Sequence, residues 1–138
     1  MTETVIGILA SGRGSNAQAI IDAVKAGRIP GKAAVLISDN PQAPVLERAK
    51  EWGIVVHCLD RKSYTGRADF EAALAAELDR HGVQLLLLAG FMRILSPAFI
   101  TLYKARIMNI HPSLLPAFPG LHAQEQAVNY GARVSGCT

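Results

Sequence analysis

Thr4-Val5-Ile6-Gly7-Ile8-Leu9 runs without a break into Ala10-Ser11-Gly12-Arg13-Gly14-Ser15-Asn16. A short, continuous apolar run that ends at glycine reads as a buried strand. Ile20, Ile21 and Val24 follow at helical spacing as far as Ala26, and Gly27 is the expected stop. Strand, glycine-bearing loop and helix together make a cradle for a phosphate. Gly12 and Gly14 let the backbone come close to a ligand, and the free N–H groups of the helix start favour an anion. Ser15 and Asn16 can cap the helix or bind the phosphate. The loop is not a Walker motif, because no Lys-Ser/Thr follows at the required spacing. It also lacks the full GxGxxG, with Ala17 at the third glycine's place, a change that the fingerprint tolerates. The bland alternative is a tight turn and a capped helix.

The same alternation continues along the chain. Lys32 to Ser38 reads as a second buried strand, and Asp39-Asn40-Pro41 is turn chemistry. Pro44 to Trp52 reads as a short helix stopped at Gly53, and Ile54 to Cys58 as a third strand. His57 is expected to be a partly buried surface histidine. A helix from Gly66 to His81 puts Phe70, Leu74 and Leu78 on one face. Arg67 falls in its first turn, where the helix dipole disfavours a cation, so a functional role competes with a solvated charge there. Gln84 to Ala89 is the most apolar strand and is expected to lie centrally in the sheet. Gly90-Phe91-Met92-Arg93-Ile94-Leu95 either lines a flat apolar pocket or lends Phe91, Ile94 and Leu95 to the core. Ser96 and Pro97 read as N-cap and N1 of a helix to Tyr103. Ile107 to Ile110 is the fifth strand, and His122 to Tyr130 a last helix stopped by Gly131. Strands alternating with helices imply a doubly wound, mostly parallel α/β sheet with helices on both faces. Such sheets bind ligands at the carboxyl ends of their strands, where the Gly-Arg-Gly, Phe-Met-Arg and Asn-x-His loops are all expected.

Composition narrows the class. A chain of 138 residues, half of them hydrophobic, suits one domain, taken as 1–138. No apolar run approaches the roughly 20 residues of a membrane span. The amino end has neither a basic leader nor a separate apolar core, so a signal peptide is not expected. Cys58 and Cys137 lack CxxC spacing and read as free thiols of a cytoplasmic protein. The net charge of +3 is scattered, with no basic run interleaved with aromatics. Neither a nucleic-acid partner nor a membrane partner is expected.

Asn109-Ile110-His111-Pro112 leads into a segment stiffened by Pro112, Pro116 and Pro119, which rule out a regular helix or central strand. Residues two apart in an extended chain point the same way. An amide donor beside an imidazole suits a carbonyl that becomes an oxyanion, and the alternative is a turn with a structural histidine. His57, His81, His111 and His122 share no close spacing, so no metal-ligand cluster is expected.

Three stretches carry a resemblance: Ser11-Gly12-Arg13-Gly14-Ser15-Asn16, Ala89-Gly90-Phe91-Met92-Arg93-Ile94-Leu95-Ser96 and Asn109-Ile110-His111-Pro112-Ser113-Leu114-Leu115-Pro116. In order and spacing they resemble the phosphoribosylglycinamide formyltransferases, also called glycinamide ribonucleotide transformylases. The resemblance covers essentially the whole chain. It implies a Rossmann-type formyltransferase fold and a role in purine biosynthesis. The reaction implied is formyl transfer from 10-formyltetrahydrofolate to the amine of glycinamide ribonucleotide, without a metal. Gly14, Ser15 and Asn16 would bind the ribonucleotide phosphate. Arg67, Met92, Arg93, Ile94, Leu95 and Asn109 would bind the folate. Asn109 would hold the formyl oxygen and His111 would donate the proton. The resemblance also implies a catalytic aspartate after the next strand, but the sequence ends at Gly136-Cys137-Thr138, where that strand would begin. The domain is therefore expected to be incomplete at its C-terminus and weakly active on its own.

Several rivals stand beside this reading. One is a non-catalytic nucleotide- or phosphate-binding module. Methionyl-tRNA formyltransferase would need a nucleic-acid surface and a further domain, and formyltetrahydrofolate hydrolase would not need the phosphate loop. A dinucleotide-dependent oxidoreductase would need Asp39 as its ribose ligand, with Pro41 close behind.

Overall fold

A computed structural model describes residues 3–138. Five strands form one sheet: β1 (Thr4–Leu9), β2 (Gly31–Ser38), β3 (Val55–Cys58), β4 (Leu85–Leu88) and β5 (Ile107–Asn109). Its order is β3-β2-β1-β4-β5. The β1–β2, β1–β4 and β2–β3 pairs are all parallel. The helices are α1 (Ser15–Lys25), α2 (Val45–Lys50), α3 (Arg67–Arg80), α4 (Pro97–Leu102) and α5 (Ala123–Tyr130). Among the described residues, no helix is long and apolar enough to cross a membrane. Contacts group the chain into two compact units, Met1–Met108 and Asn109–Thr138.

Strand alternation builds the first unit. Ile6, Ile8 and Leu36 face a cluster that includes Ala17 and Ile21 of α1 and Val45 and Ala49 of α2. Leu9, Val35, Ile37 and Leu86 face the opposite cluster, with Phe70, Leu74 and Leu78 of α3 and Phe99 of α4. Side chains of period two therefore feed two separate cores, one on each face of the sheet. Each fully buried Leu, Ile or Phe contributes roughly 1.5–3 kcal/mol. The three α3 residues expected on one face are all buried.

The expected elements all form, and β4 lies inside the sheet, flanked by β1 and β5, with β1 at the middle of the order. Both strands are largely apolar, and apolarity marks burial on two faces without giving position in the order. The strand order makes β1 and β4 the switch point, where successive connections depart to opposite faces. A doubly wound sheet opens its ligand crevice there.

Candidate functional site

The switch point is wired by hydrogen bonds. Ser11 N–H donates to the Gly90 carbonyl at 3.1 Å, joining the chain segments that leave β1 and β4. The Ser11 hydroxyl donates to Asp39 Oδ1 at 2.6 Å and accepts from Met92 N–H at 2.9 Å. Arg93 Nε donates to Asp39 Oδ2 at 2.7 Å. Asp39 is only 3% exposed, and its two oxygens bond Ser11 and Arg93. A ribose would have to compete with both partners, which counts against the dinucleotide reading.

The Gly12–Asn16 loop is pinned from α2. Val45 N–H donates to the Gly12 carbonyl at 3.1 Å. Arg48 reaches back with Nη1 to the Arg13 carbonyl at 2.6 Å and with Nη2 to Gln18 at 3.0 Å. Gly14 has φ +78°, and a Cβ there would lie 2.2 Å from Val45 Cγ2. Left-handed backbone and lack of space both require glycine at this position. The capping expectation for Ser15 and Asn16 is not met: the N-cap of α1 is Gly14, with no side-chain cap and no acid in the first turn. Ser15 and Asn16 are exposed. With glycine at the cap position and no side-chain acceptor, α1 has an uncapped positive helix end.

Of the residues expected to bind folate, Met92 and Arg93 lie in one neighbourhood and Arg67 in another. Met92 and Arg93 line a cavity of about 350 Å³ with Ser11, Asp39, Asp60 and Lys62. Arg67, the first residue of α3, lines a different cavity of about 550 Å³ with Glu71, Ser96, Phe99 and Leu102. Buried Glu71 accepts from Ser96 N–H at 2.7 Å and from the Ser96 hydroxyl, and that hydroxyl caps α4 through Phe99 N–H at 3.1 Å. The Ser96 cap is therefore as expected. The Phe91–Leu95 segment divides between its two readings: Met92 and Ile94 are exposed, while Phe91 and Leu95 pack on the core.

The second unit closes a loop around His111. His111 N–H donates to the Thr138 carbonyl at 2.7 Å, and Thr138 N–H returns to the His111 carbonyl at 2.9 Å. Reciprocal bonds of this kind mark an antiparallel pair and fix the backbone at the histidine. His111 Nε2 lies 3.0 Å from the Phe118 carbonyl. A carbonyl only accepts, so Nε2 carries the hydrogen and Nδ1 is left to exchange a proton. The Leu115–Pro116 bond is cis. The Ser113 hydroxyl donates to the Ala117 carbonyl at 2.5 Å. Asn109 is exposed, and its amide makes no hydrogen bond among the described residues.

Sequence spacing missed two features. Arg48 carried no signal, because an arginine on a short helix reads as solvated. The expected lack of a metal-ligand cluster is corrected by His57, Glu77 and His81, whose ligand atoms lie within 4.8 Å of one another. Histidine spacing could not show this, since the third member is a glutamate and His57 is on a different element. His57 is partly buried, as expected.

A doubly wound sheet with a glycine cradle at its switch point is the scaffold of a small-molecule enzyme or binding protein, and comparison with known sequences gives the class. The profile of the formyl transferase family matches residues 5–138, and the chain belongs to that family. It is 46% identical over 129 residues to phosphoribosylglycinamide formyltransferase of Escherichia coli (strain K12), covering 94% of this chain and 61% of that protein. It is 44% identical to the Bacillus subtilis (strain 168) protein of the same name, covering 95% of this chain and 67% of that one. The solved structure of glycinamide ribonucleotide transformylase 1 from Symbiobacterium toebii superposes with a TM-score of 0.94 at 51% identity, over 99% of this chain and 64% of that one. The chain thus spans about three fifths to two thirds of these relatives.

Proposed function

We propose that the protein carrying this sequence transfers a formyl group from 10-formyltetrahydrofolate to the amine of glycinamide ribonucleotide, in the cytoplasm. Its partners are these two small molecules. The single observation that carries the reading is the Gly14 cradle, left-handed and uncapped at the β1–β4 switch, in a chain of the formyl transferase family. An anion there meets free N–H groups and no competing acid.

In the proposed reaction the amine nitrogen bonds to the formyl carbon, and the carbonyl electrons move onto oxygen. The Asn109 amide donates to that oxyanion, and His111 donates from Nδ1. Collapse then breaks the bond between the formyl carbon and the folate nitrogen. As that bond breaks, His111 gives its Nδ1 proton to the leaving nitrogen and is reprotonated by the proton that the amine loses. The Phe118 carbonyl keeps the imidazole in one tautomer through Nε2. Removing one such donor typically costs ~3–4 kcal/mol of barrier. Met92, Arg93, Ile94 and Leu95 bind the folate together with Arg67 and Asn109. Exposed Met92 and Ile94 offer its ring an apolar face.

The test is calorimetric. Glycinamide ribonucleotide should bind saturably, and Asn16→Asp, which sets a carboxylate beside the phosphate, should weaken it at least tenfold. Equal affinity in the two proteins would remove the cradle from the account. The binding-module alternative predicts that the ribonucleotide binds and that no formyl group is ever transferred.

A further inference from the structure

We propose that His57, Glu77 and His81 form a binding site for one zinc-class divalent cation, outside the residues assigned to formyl transfer. His57 comes from the edge strand β3, Glu77 lies in the last turn of α3, and His81 is that helix's C-cap, four residues on. Glu77 Oε1 is 2.8 Å from His57 Nε2 and 3.2 Å from His81 Nε2. The two Nε2 atoms are 3.3 Å apart. Three ligand atoms thus make a small triangle, with every corner able to offer a lone pair.

The dimensions match a coordination face. Zinc binds histidine nitrogen and carboxylate oxygen at about 2.0–2.2 Å, so neighbouring ligands of a tetrahedral ion sit roughly 3.3 Å apart. Two edges of the triangle already have that length, and the third must open by a few tenths of an ångström. The imidazole rings are tilted by 47° with centroids 5.4 Å apart, so they converge at their Nε2 corners and do not stack. Two histidines and one carboxylate are a donor set suited to zinc, whereas magnesium and calcium require oxygen.

The surroundings fit a three-ligand site with one open position. The Glu77 side chain is 10% exposed and the His81 side chain 19%, so both are held by packing. The His57 side chain is 37% exposed and opens the site to solvent for a water ligand. Arg80 Nη1 lies 3.4 Å from Glu77 Oε2 and holds the oxygen that the cation does not use. Cys58 follows His57 along the strand and points to the other face of the sheet, so it is not the fourth ligand. A bound cation would pin the edge strand to α3.

Zinc chloride titrated into metal-free, untagged protein at pH 7.5 reads the site. One equivalent should bind, and Co(II) in its place should give a four-coordinate visible spectrum. His57→Ala, His81→Ala and Glu77→Gln should each weaken zinc at least tenfold, while Cys58→Ser should not. Zinc should raise Tm in the wild type and leave it unmoved in His57→Ala. His57 is partly exposed, so this variant should keep the wild-type circular dichroism. Zinc affinity unchanged in His57→Ala or His81→Ala, or no saturable binding below about 100 μM, would overturn the assignment, since at that Kd the site would gain only about 5.5 kcal/mol.

Discussion

Arg93 reaches across the switch point to Asp39, and its Nε donates to Oδ2 of that buried carboxylate at 2.7 Å. Asp39 also accepts the Ser11 hydroxyl, so one acid holds the ends of β1, β2 and β4 together. Asp39→Asn keeps the shape but turns one acceptor into a donor aimed at the guanidinium. Denaturant unfolding should show a loss of about 2 kcal/mol. Folate affinity should fall with it, and ribonucleotide affinity should change much less.

Gly14 and Val45 should be coupled. Gly14→Ala meets a left-handed φ and a side chain 2.2 Å away, and should cost about 3 kcal/mol. Val45→Ala removes the 2.2 Å contact with Cγ2, keeps Cβ at 2.8 Å, and so relieves part of the clash while leaving the backbone strain. A double-mutant cycle by urea denaturation should therefore give a coupling of at least ~1 kcal/mol. Additive effects would show that the loop does not rest on α2.

Ser15→Asp separates stability from binding. A carboxylate at the first position of an uncapped helix should add about 0.3–1 kcal/mol by its interaction with the dipole. The same charge should repel a phosphate and lower ribonucleotide affinity at least tenfold. Thermal unfolding and calorimetry should move in opposite directions. A variant that gains stability and keeps affinity would show that no anion sits at this helix.

Tyr103 gives a pH signature. Burial, reinforced by Asp79 at 3.3 Å from its hydroxyl, pushes the phenol up to about 12. The unfolded phenol ionises near 10, so between these values the folded chain holds more protons than the unfolded one. Stability from this group is complete below about pH 10 and is lost as pH rises towards 12. Tyr103→Phe should be less stable than wild type at pH 8, and the gap should shrink across that window in denaturant titrations.

The fold was legible in the sequence because its strands and helices differ in period and end at glycines. Gly27, Gly53 and Gly131 all stop where expected, each with positive φ. The Ser96-Pro97 cap was legible because its chemistry is local. The place of β1 in the sheet was not, since strand order depends on pairings between distant segments. Nor was the start of α1, where glycine geometry replaced a side-chain cap. Arg48 and Glu77 were invisible for the same reason: their partners lie 35 residues away at Arg13 and 20 residues away at His57, and only the folded chain brings them together.

The central claim concerns Asn109 and His111, and single-turnover formyl transfer tests it most directly. The measurement compares the protein carrying this sequence with its Asn109→Ala and His111→Ala variants. Each variant should lose about 10²–10³ in rate, with the Kd for glycinamide ribonucleotide within twofold of wild type. Wild-type rates in either variant would contradict the account.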